Sequence, residues 1–438
     1  MKSSSASNET ESVTLNDKAW DSIFERYNIV EQVQKDGVFH ITAYQIKEFR
    51  EPRLMTKFDT KESVPKAFGK GREKMSILPD SRGSYVIGYF NTYLEFPEME
   101  RRIRHVDFPN YLQTISKTNI NSEANVINVL GITNILEDFL SESRLVQTIS
   151  GRMKSGIFDF AIHDSRNGEL HNIAVKNAQI EIDAGFENEN CVCIMEAKNV
   201  VHKDFIVRQL YYPFRCWVDK IGKPVRTVFM VYSNNVFRLL EYEFTTIGCY
   251  SSIKFIKQKN YSFEDVDIKY SDLMECYKKT RAIEEPRDIP FIQADSFNTV
   301  ISLLELVKED AKSINELSEA IGFATRQGDY YYNAARYLGL AKKCRDTDGI
   351  VRVRLSDLGV SVMKLPYKER QLKYIKLMFE HEIFRVTFFA STVSARIVDK
   401  KFICEKMIEL NLCGPSLVGR RASTVMGWLK WIFSIINE

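Results

Sequence analysis

A glutamate and a lysine, two residues apart, stand at the end of an apolar segment in the stretch QIEIDAGFENENCVCIMEAKN, residues 179–199. Apart from Glu196 and Lys198, residues 192–198 have the composition of a strand that is buried on both faces. A buried charge is costly unless it is paired or bound to a metal. A solvated strand face with salt bridges is the commoner meaning of an isolated acid–x–lysine pair, but the apolar neighbours favour a functional site here.

The turn sequence ENEN predicts that the two halves of this stretch fold back on each other as a hairpin. With the turn centred between residues 188 and 189, the expected pairs are Gln179 with Lys198, Glu181 with Glu196, and Asp183 with Ile194. Directly opposed residues share a face of the sheet, and so do residues two apart. The polar members are therefore expected on one side, although a slip of one residue would separate the acids of the two strands.

Three carboxylates, those of Glu181, Asp183 and Glu196, would then lie within a few ångströms and repel one another. A divalent cation removes that conflict, and hard cations such as Mg²⁺ prefer oxygen ligands. A lysine beside such a cation can contact a scissile phosphate or an attacking water. The cluster therefore predicts metal-assisted hydrolysis of a phosphodiester.

The surrounding elements predict an α/β (α+β) core with a mixed sheet. A helix over 121–143, capped by Asn121 or Ser122, precedes three strands that form a meander. The strands are GIFDFAIHD, HNIAVKNAQIEIDAGFE and CVCIMEAKN, and they are followed by the helix DFIVRQLYYPFRCWVDKIG and the strands TVFMVYSN and VFRLLEYEFT.

This arrangement resembles the PD-(D/E)xK nuclease superfamily, with Asp183 as the motif aspartate and Glu196-Ala197-Lys198 as the ExK triplet. The amino-acid sequence of these segments is also similar to that of type II restriction endonucleases that carry an additional winged helix. The likeness covers roughly residues 120–245 and 311–360. No proline precedes Asp183, and Glu181 and Asp159 compete with it as the first ligand, so the motif departs from the family pattern there.

The resemblance implies that Asp183 and Glu196 bind Mg²⁺, which Mn²⁺ can replace, and that Lys198 orients or deprotonates the attacking water. It also implies a ligand from Glu123, early in the preceding helix, and a glutamine near the site, Gln209. An exposed helix residue is the commoner meaning of a glutamate in the position of Glu123, whereas Gln209 fits an ordinary polar helix residue equally well. Glu181 remains a candidate catalytic residue.

Residues 311–360 follow the order helix, turn, helix, hairpin, which is typical of a winged helix-turn-helix. The second helix places base-reading and phosphate-binding side chains on its outer faces, since its apolar residues face a core. These are Arg326, Gln327, Tyr330, Asn333 and Arg336, and the hairpin adds Lys342, Lys343, Arg352 and Arg354. A winged helix used for protein contacts is the alternative.

Composition bounds the remaining possibilities. The chain has 438 residues, 44% of them hydrophobic, and a formal net charge of +3, so a nucleic-acid contact must come from local patches. The eight cysteines form no zinc-like CxxC pairs. Without a secretory pattern they are expected to be reduced thiols in a cytoplasmic protein. No apolar run approaches the roughly 20 residues of a membrane helix.

The sequence therefore predicts five segments: a disordered tail (1–14), an N-terminal α+β module with a DNA contact (15–119), a restriction-endonuclease-like core (120–260), a linker helix (261–294) and a winged-helix and helical region (295–438). The predicted function is a Mg²⁺-dependent, site-specific double-stranded DNA endonuclease, a type II restriction enzyme. A homodimer and a cognate DNA methyltransferase are its expected partners. The alternatives are a DNA repair or mobile-element nuclease, or a catalytically silent DNA-binding regulator.

Overall fold

The computed structural model describes residues 14–69, 73–117, 120, 122–322 and 325–436. The tail predicted as disordered lies outside the described residues except for Thr14, which caps the first helix with its side chain. Together the elements form a mixed α and β protein with a seven-stranded sheet at its centre and a helical C-terminal region.

The strands are β1 Val38–Thr42, β2 Ser76–Pro79, β3 Ser84–Gly88, β4 Tyr93–Glu95, β5 Ile103–His105, β6 Val146–Lys154, β7 Ile157–His163, β8 Leu170–Lys176, β9 Gln179–Glu187, β10 Val192–Lys198, β11 Asp204–Ile206, β12 Val225–Ser233, β13 Val236–Phe244, β14 Ile253–Ser262, β15 Ala341–Arg345 and β16 Val351–Leu355.

The helices are α1 Leu15–Arg26, α2 Ile29–Asp36, α3 Ala43–Lys47, α4 Pro52–Met55, α5 Glu123–Ile132, α6 Ile135–Leu140, α7 Arg208–Val218, α8 Tyr270–Lys279, α9 Phe297–Leu306, α10 Ile314–Ile321, α11 Thr325–Tyr337, α12 Asp357–Met363, α13 Tyr367–Phe379, α14 Glu382–Val393, α15 Lys400–Glu409 and α16 Pro415–Ser434. Short 3₁₀ turns occupy Lys61–Ser63, Lys66–Phe68 and Tyr250–Ser252.

The central sheet has the order β5-β14-β13-β12-β10-β9-β6. The pairs β10–β12 and β14–β5 are parallel, and the others are antiparallel, so the predicted mixed sheet is confirmed. Because α7 is the crossover between the parallel strands β10 and β12, it must pack against the sheet that those strands form. That packing brings the start of α7 close to the end of β10.

The predicted meander is wrong in its strands. The strands β7 and β8 pair only with each other among the named strands, and the meander of the central sheet is β6, β9 and β10. The single strand expected from His171 to Glu187 is interrupted between β8 and β9, where Asn177 takes a positive φ of 56°. The polar, largely exposed strand β6 lacked the apolar pattern that would have predicted it.

Two cores cover the two faces of the sheet. The helices α5 and α6 pack on one face, where Ala184, Met195 and Ala197 are buried. The helix α7 and the β7–β8 hairpin pack on the other face, against Ile194 and Phe229. The helix predicted over 121–143 is two helices, and Ser122 is its cap, because its side chain accepts a hydrogen bond from the Asn125 amide.

The N-terminal part has its own core around Trp20 and Phe68, and a three-stranded sheet in the order β1-β3-β2. The alternating pattern of residues 37–46 predicts a single strand, but the strand ends at Thr42, which caps the helix α3. Strand β5 pairs with β14 at the edge of the central sheet, and β4 pairs with β11 in a two-stranded sheet. Both strands fall inside the predicted N-terminal module but pair with strands outside it.

A buried polar network attaches the C-terminal region to the central sheet. The turn between β12 and β13 carries Asn234, whose amide donates to the Glu305 carboxylate on α9 over 2.7 Å. The side-chain oxygen of Asn234 accepts from Arg370 and Gln371 on α13. The expected linker helix shortens to Tyr270–Lys279, and α8 packs on α13.

The C-terminal region has the expected order of α10, α11 and the β15–β16 hairpin, with Gly349 at the hairpin turn in a positive φ of 79°. An additional bridge joins Lys312, before α10, to Val353 of the hairpin. The hairpin is thereby fixed to the helices that it follows.

Two glycines of α16 provide a test of this packing. A Cβ atom at Gly427 would lie 2.2 Å from the Asp295 carbonyl oxygen, whereas a Cβ at Gly419 would meet nothing within 4 Å. Gly427→Ala should therefore lower the free energy of unfolding by about 1–3 kcal/mol, as overpacked cores do. Gly419→Ala should raise it by up to about 1 kcal/mol, because alanine favours the helix. Denaturant unfolding of both variants checks this, and equal effects would contradict the packing.

Candidate active site

The hairpin between β9 and β10 brings the motif acids together in a register that differs from the prediction. The observed pairs run from Glu187 with Val192 to Ala184 with Met195. Asn188 causes the difference, because its side-chain oxygen accepts from the amides of Asn190 and Cys191 and builds a four-residue turn. The shift amounts to two residues and therefore leaves every side chain on its predicted face.

Continuing this register places Asp183 level with Glu196. The Asp183 carboxylate accepts a hydrogen bond of 2.8 Å from the Ala197 amide. That bond uses Oδ2 and ties the first acid of the motif to the backbone of the triplet. The observed register therefore brings Asp183 to the strand position next to Glu196, on the face that the sequence predicted for both.

Glu196 is 6% exposed and accepts two hydrogen bonds on the same oxygen, Oε1. Lys198 Nζ donates one over 2.5 Å, and Gln209 Nε2 donates the other over 2.7 Å. Gln209 is in the first turn of α7, which explains why a glutamine after the triplet reaches the site. Its own Oε1 is buried without a hydrogen-bond partner among the described residues.

The electrostatics of the site favour added positive charge. Burial raises the pKa of Glu196 to about 8 despite the attraction of Lys198, and Asp183 contributes to the rise. Burial would lower the pKa of Lys198, but the carboxylates of Glu196, Asp183 and Asp59 outweigh it and raise that pKa. The negative charge around Glu196 and Lys198 therefore raises the pKa of both groups.

Glu123 begins α5 and belongs to the same electrostatic group, although the residue is exposed. Desolvation of its carboxylate and the charge of Asp183 raise its pKa, against the attraction of Lys198. The sequence analysis missed Asp59, which lies between α4 and the first 3₁₀ turn and acts on Glu123, Glu196 and Lys198. No local pattern marks it, because its proximity to the site depends on long-range packing.

The two rival acids lie elsewhere. Glu181 is on the exposed part of β9, and its side chain, 60% exposed, accepts from Arg152 of β6 over 3.3 Å. Asp159 is exposed on β7, in the separate two-stranded sheet. The structure therefore groups Asp183, and neither rival, with Glu196 and Lys198.

The acids provide only part of a ligand set for a metal ion. Among the described residues there is no group of three or more His, Cys, Asp and Glu side chains with metal-binding geometry. Mg²⁺ is commonly held by one or two carboxylates and keeps several waters. Asp183 and Glu196 provide the one or two carboxylates that such a hydrated cation needs, and the Gln209 Oε1, which has no hydrogen-bond partner among the described residues, is on the adjoining helix.

The candidate DNA-binding residues lie on α11 and the hairpin, and several are engaged in contacts within the protein. Arg326 donates to the Tyr330 hydroxyl over 2.5 Å. Arg336 pairs with Asp288, and Lys343 pairs with Asp329. Gln327 and Asn333 are half-buried, and Arg354 is exposed. In the hairpin, Lys342 pairs with Asp357, and Arg352 pairs with Asp346 and Asp348.

Three family models match consecutive parts of the chain, and each describes a domain of unknown function: DUF6996 over residues 17–87, DUF6997 over 88–262 and DUF7226 over 299–437. No curated protein and no solved structure matches the chain. The second match contains Asp183, Glu196, Lys198 and Gln209, and the first contains Asp59.

The described part of the chain contains no helix with the length and apolar character needed to cross a bilayer. The eight cysteines have no disulfide partners in the structure, and Cys191, Cys193 and Cys216 are buried.

The raised pKa of Glu196 predicts a pH-dependent loss of stability in the absence of metal. The folded state retains a proton up to about pH 8, whereas the unfolded carboxyl loses it near its ordinary value of 4.5. Stability should therefore fall as the pH rises through this window, at up to about 1.4 kcal/mol per pH unit. Glu196→Gln should remove that loss and gain on the order of 2 kcal/mol over the native chain at pH 8, but little at pH 5.

Urea unfolding at pH 5, 6.5 and 8 with a chelator measures this difference. Glu189→Gln, which alters an exposed acid in the turn of the same hairpin, is the control and should change stability by less than about 0.5 kcal/mol. A gain from Glu196→Gln that is independent of pH would contradict the buried carboxyl.

Proposed function

We propose that the protein is a Mg²⁺-dependent endonuclease for double-stranded DNA, of the PD-(D/E)xK type. The observation that carries the proposal is the hydrogen-bonded group of Asp183, Glu196 and Lys198, with Gln209 on the adjoining helix. The three motif residues come from neighbouring strands, and the group lies at the end of β10. Acids and a lysine in this arrangement are suited to phosphodiester hydrolysis.

Each side chain has a role that follows from its contacts. Bound Mg²⁺ supplies a Lewis acid for the phosphate and lowers the pKa of a coordinated water. Oε1 of Glu196 and Oδ2 of Asp183 accept hydrogen bonds from the protein, so Oε2 and Oδ1 are the oxygens available to the cation. The raised pKa of Lys198 keeps its amine charged at neutral pH, so it binds a phosphate oxygen and stabilises negative charge there.

The C-terminal region supplies the DNA contact in this proposal. Its ion pairs, such as Lys343 with Asp329 and Arg336 with Asp288, involve partly exposed side chains. Exposed pairs of this kind contribute about 0–1 kcal/mol, so a DNA phosphate can replace the acidic partner. Asn333 and Gln327 are the candidates for reading bases.

The finer proposal is site-specific cleavage of the restriction type. Host DNA would then require protection by a cognate methyltransferase, and cleavage of both strands would require two sites, which a homodimer supplies. Digestion of methylated and unmethylated DNA with Mg²⁺, followed by sequencing of the ends, tests the specificity and the methylation dependence together.

Cleavage should depend on the residues of the hydrogen-bonded group. Asp183→Asn and Glu196→Gln should each lower the cleavage rate by more than about 100-fold, since even outer partners of a metal ligand change activity by about 10- to 100-fold. Lys198→Ala should lower it by about 100- to 1000-fold through the loss of charge stabilisation. DNA binding should persist in all three, and excess chelator should stop cleavage.

Glu181→Gln distinguishes the two candidates for the first ligand. Because Glu181 is exposed and pairs with Arg152, its replacement should change the rate by less than about 5-fold, a small effect in free energy. An inactive Glu181 variant beside an active Asp183 variant would reverse the assignment. The proposed mechanism would be contradicted if cleavage continued undiminished in excess chelator or in the Glu196→Gln variant.

The α11 and hairpin residues should affect binding in two different ways. Asn333→Ala should reduce discrimination between specific and random duplexes by about 1–3 kcal/mol. Arg354→Ala should weaken binding to all sequences and reduce the salt slope by about 0.9, the value for one lost phosphate contact. Lys279→Ala, which removes a cation on α8, is the charge control. Equal effects of Arg354 and Lys279 variants across a salt series would exclude the hairpin as a DNA contact.

A further inference from the structure

A row of paired residues crosses the central sheet from the candidate active site to Arg238 of β13. Lys198 of β10 pairs with Val231 of β12, and Val231 pairs with Arg238. Paired residues on neighbouring strands project from the same face of a sheet, so Arg238 is on the face that carries Lys198. Neighbouring strands are about 4.8 Å apart, which places the backbone of Arg238 roughly 10 Å from that of Lys198.

The guanidinium group of Arg238 is only partly used by the protein. Its Nε donates to Oε1 of Gln258 over 3.0 Å, and its Nη2 donates to the carbonyl oxygen of Pro97 over 2.5 Å. The guanidinium carbon lies 6.0 Å from the centre of the Phe96 ring. These contacts fix the direction of the side chain. The third nitrogen, Nη1, has no hydrogen-bond partner among the described residues.

Arg238 is half-buried, and no carboxylate of the described residues forms an ion pair with it. Burial lowers its pKa to about 10, and Glu100 acts on it only from beyond ion-pair distance. Arg226, on the neighbouring strand β12, is different, because its Nε and Nη2 donate to Glu241 over 2.6 and 2.9 Å. A desolvated cation without a counter-ion costs free energy, so an anion bound at Arg238 would be stabilising.

Arg238 lines a cavity of about 490 Å³. The wall of this cavity also includes Lys61, His202 and Lys203. The last two follow Lys198 by four and five residues, so the cavity adjoins the strand end that carries the candidate active site. A ligand in the cavity would therefore meet Arg238 on one side and the chain that leaves the motif on the other.

Contacts between distant segments hold the wall of the cavity in place. The Lys61 amide donates to the Asp204 carboxylate over 2.8 Å. The neighbouring Thr60 donates through its hydroxyl to the Gly322 carbonyl oxygen over 3.0 Å. Because these contacts need no ligand, the cavity is formed in advance, and binding does not have to order a loop.

Three acids also line the cavity, and they restrict where an anion can bind. Asp204 is occupied by the Lys61 amide, and Glu62 and Glu95 are exposed. Salt and water screen exposed charges much more than partly buried ones. The exposed acids therefore oppose an anion only weakly at Arg238, which is half-buried.

The anion that the proposed substrate brings to this face of the sheet is a phosphate of the DNA backbone. Each DNA strand carries one phosphate per about 3.4 Å along the helix axis. With the scissile phosphate at Lys198, a second phosphate of the same strand can therefore lie near Arg238, roughly 10 Å away.

We propose that Arg238 binds a backbone phosphate a few nucleotides from the scissile one, with Nη1 as the donor to the phosphate oxygen. The inference rests on the proposed function, because it assumes that DNA lies across Lys198. Arg238 then positions the strand, whereas Lys198 acts on the phosphate that reacts.

Binding of the full chain to a DNA duplex across a salt series, in excess chelator, tests the proposal without cleavage. Arg238→Gln should reduce the slope of log K against log salt by about 0.9, the value for one phosphate contact. At about 0.1 M salt this change corresponds to a loss of affinity of roughly 8-fold. Arg238→Lys keeps the positive charge and should keep the slope.

Lys223→Gln is the matched control. It also removes a half-buried cation of the central sheet, but Lys223 precedes β12, at the other end from Arg238, and is paired with Glu187 over 2.6 Å. The slope should stay unchanged in this variant. A merely structural role of Arg238 would lower the melting temperature without changing the slope.

Melting temperatures show which variants are folded, and Arg238→Met, which keeps the aliphatic part of the side chain, is used if Arg238→Gln is unfolded. An unchanged slope in a folded, uncharged Arg238 variant would overturn the phosphate contact and leave the proposed function standing. Absence of DNA binding by the native chain would overturn both. If slopes were equal but inorganic phosphate, at constant ionic strength, stabilised only the native chain, the ligand would be a free phosphate ion instead of DNA.

Discussion

The burial of one carboxylate constrains much of this structure. Glu196 stands at the end of a strand that is enclosed by helices on both faces and by strands on both edges. Such a group is stable only if its neighbours supply hydrogen bonds and positive charge. Lys198 does so from the same strand, and Gln209 does so from the helix that connects β10 with its parallel neighbour β12. The helix α7, which connects the parallel strands, therefore also donates a hydrogen bond to the buried carboxylate.

The strand β10, the turn at Asn188 and the helices could be predicted from the sequence because each depends on residues that are close together in the chain. The apolar run of β10, the turn at Asn188 and the apolar spacing of the helices are each visible within about ten residues, and all of these elements are present in the structure. The face shared by Asp183 and Glu196 was predicted despite a register error, because an error of two residues preserves the alternation of a strand. An error of one residue would have placed Asp183 and Glu196 on opposite faces of the sheet.

Other features could not be predicted because they depend on contacts between distant parts of the chain. The strands β7 and β8 pair with each other and not with the central sheet, and the chain between β8 and β9 breaks at Asn177, whose φ is positive. The pairing of β5 with β14 joins residues near 104 to residues near 261. The ion pairs that engage Arg336 and Lys343 likewise depend on packing, and so does the proximity of Asp59 to the motif.

The hydrogen bond between Thr60 and Gly322 spans 262 residues of sequence, and Gly322 ends α10, just before α11. A ribosome adds about 5–20 residues per second. Thr60 and the neighbouring Asp59 are therefore synthesised roughly 13–50 s before Gly322. During that interval the hairpin of β9 and β10 can form, but the segment beside it still lacks a contact that holds it in place. The surroundings of the site are thus completed only after most of the chain has been synthesised.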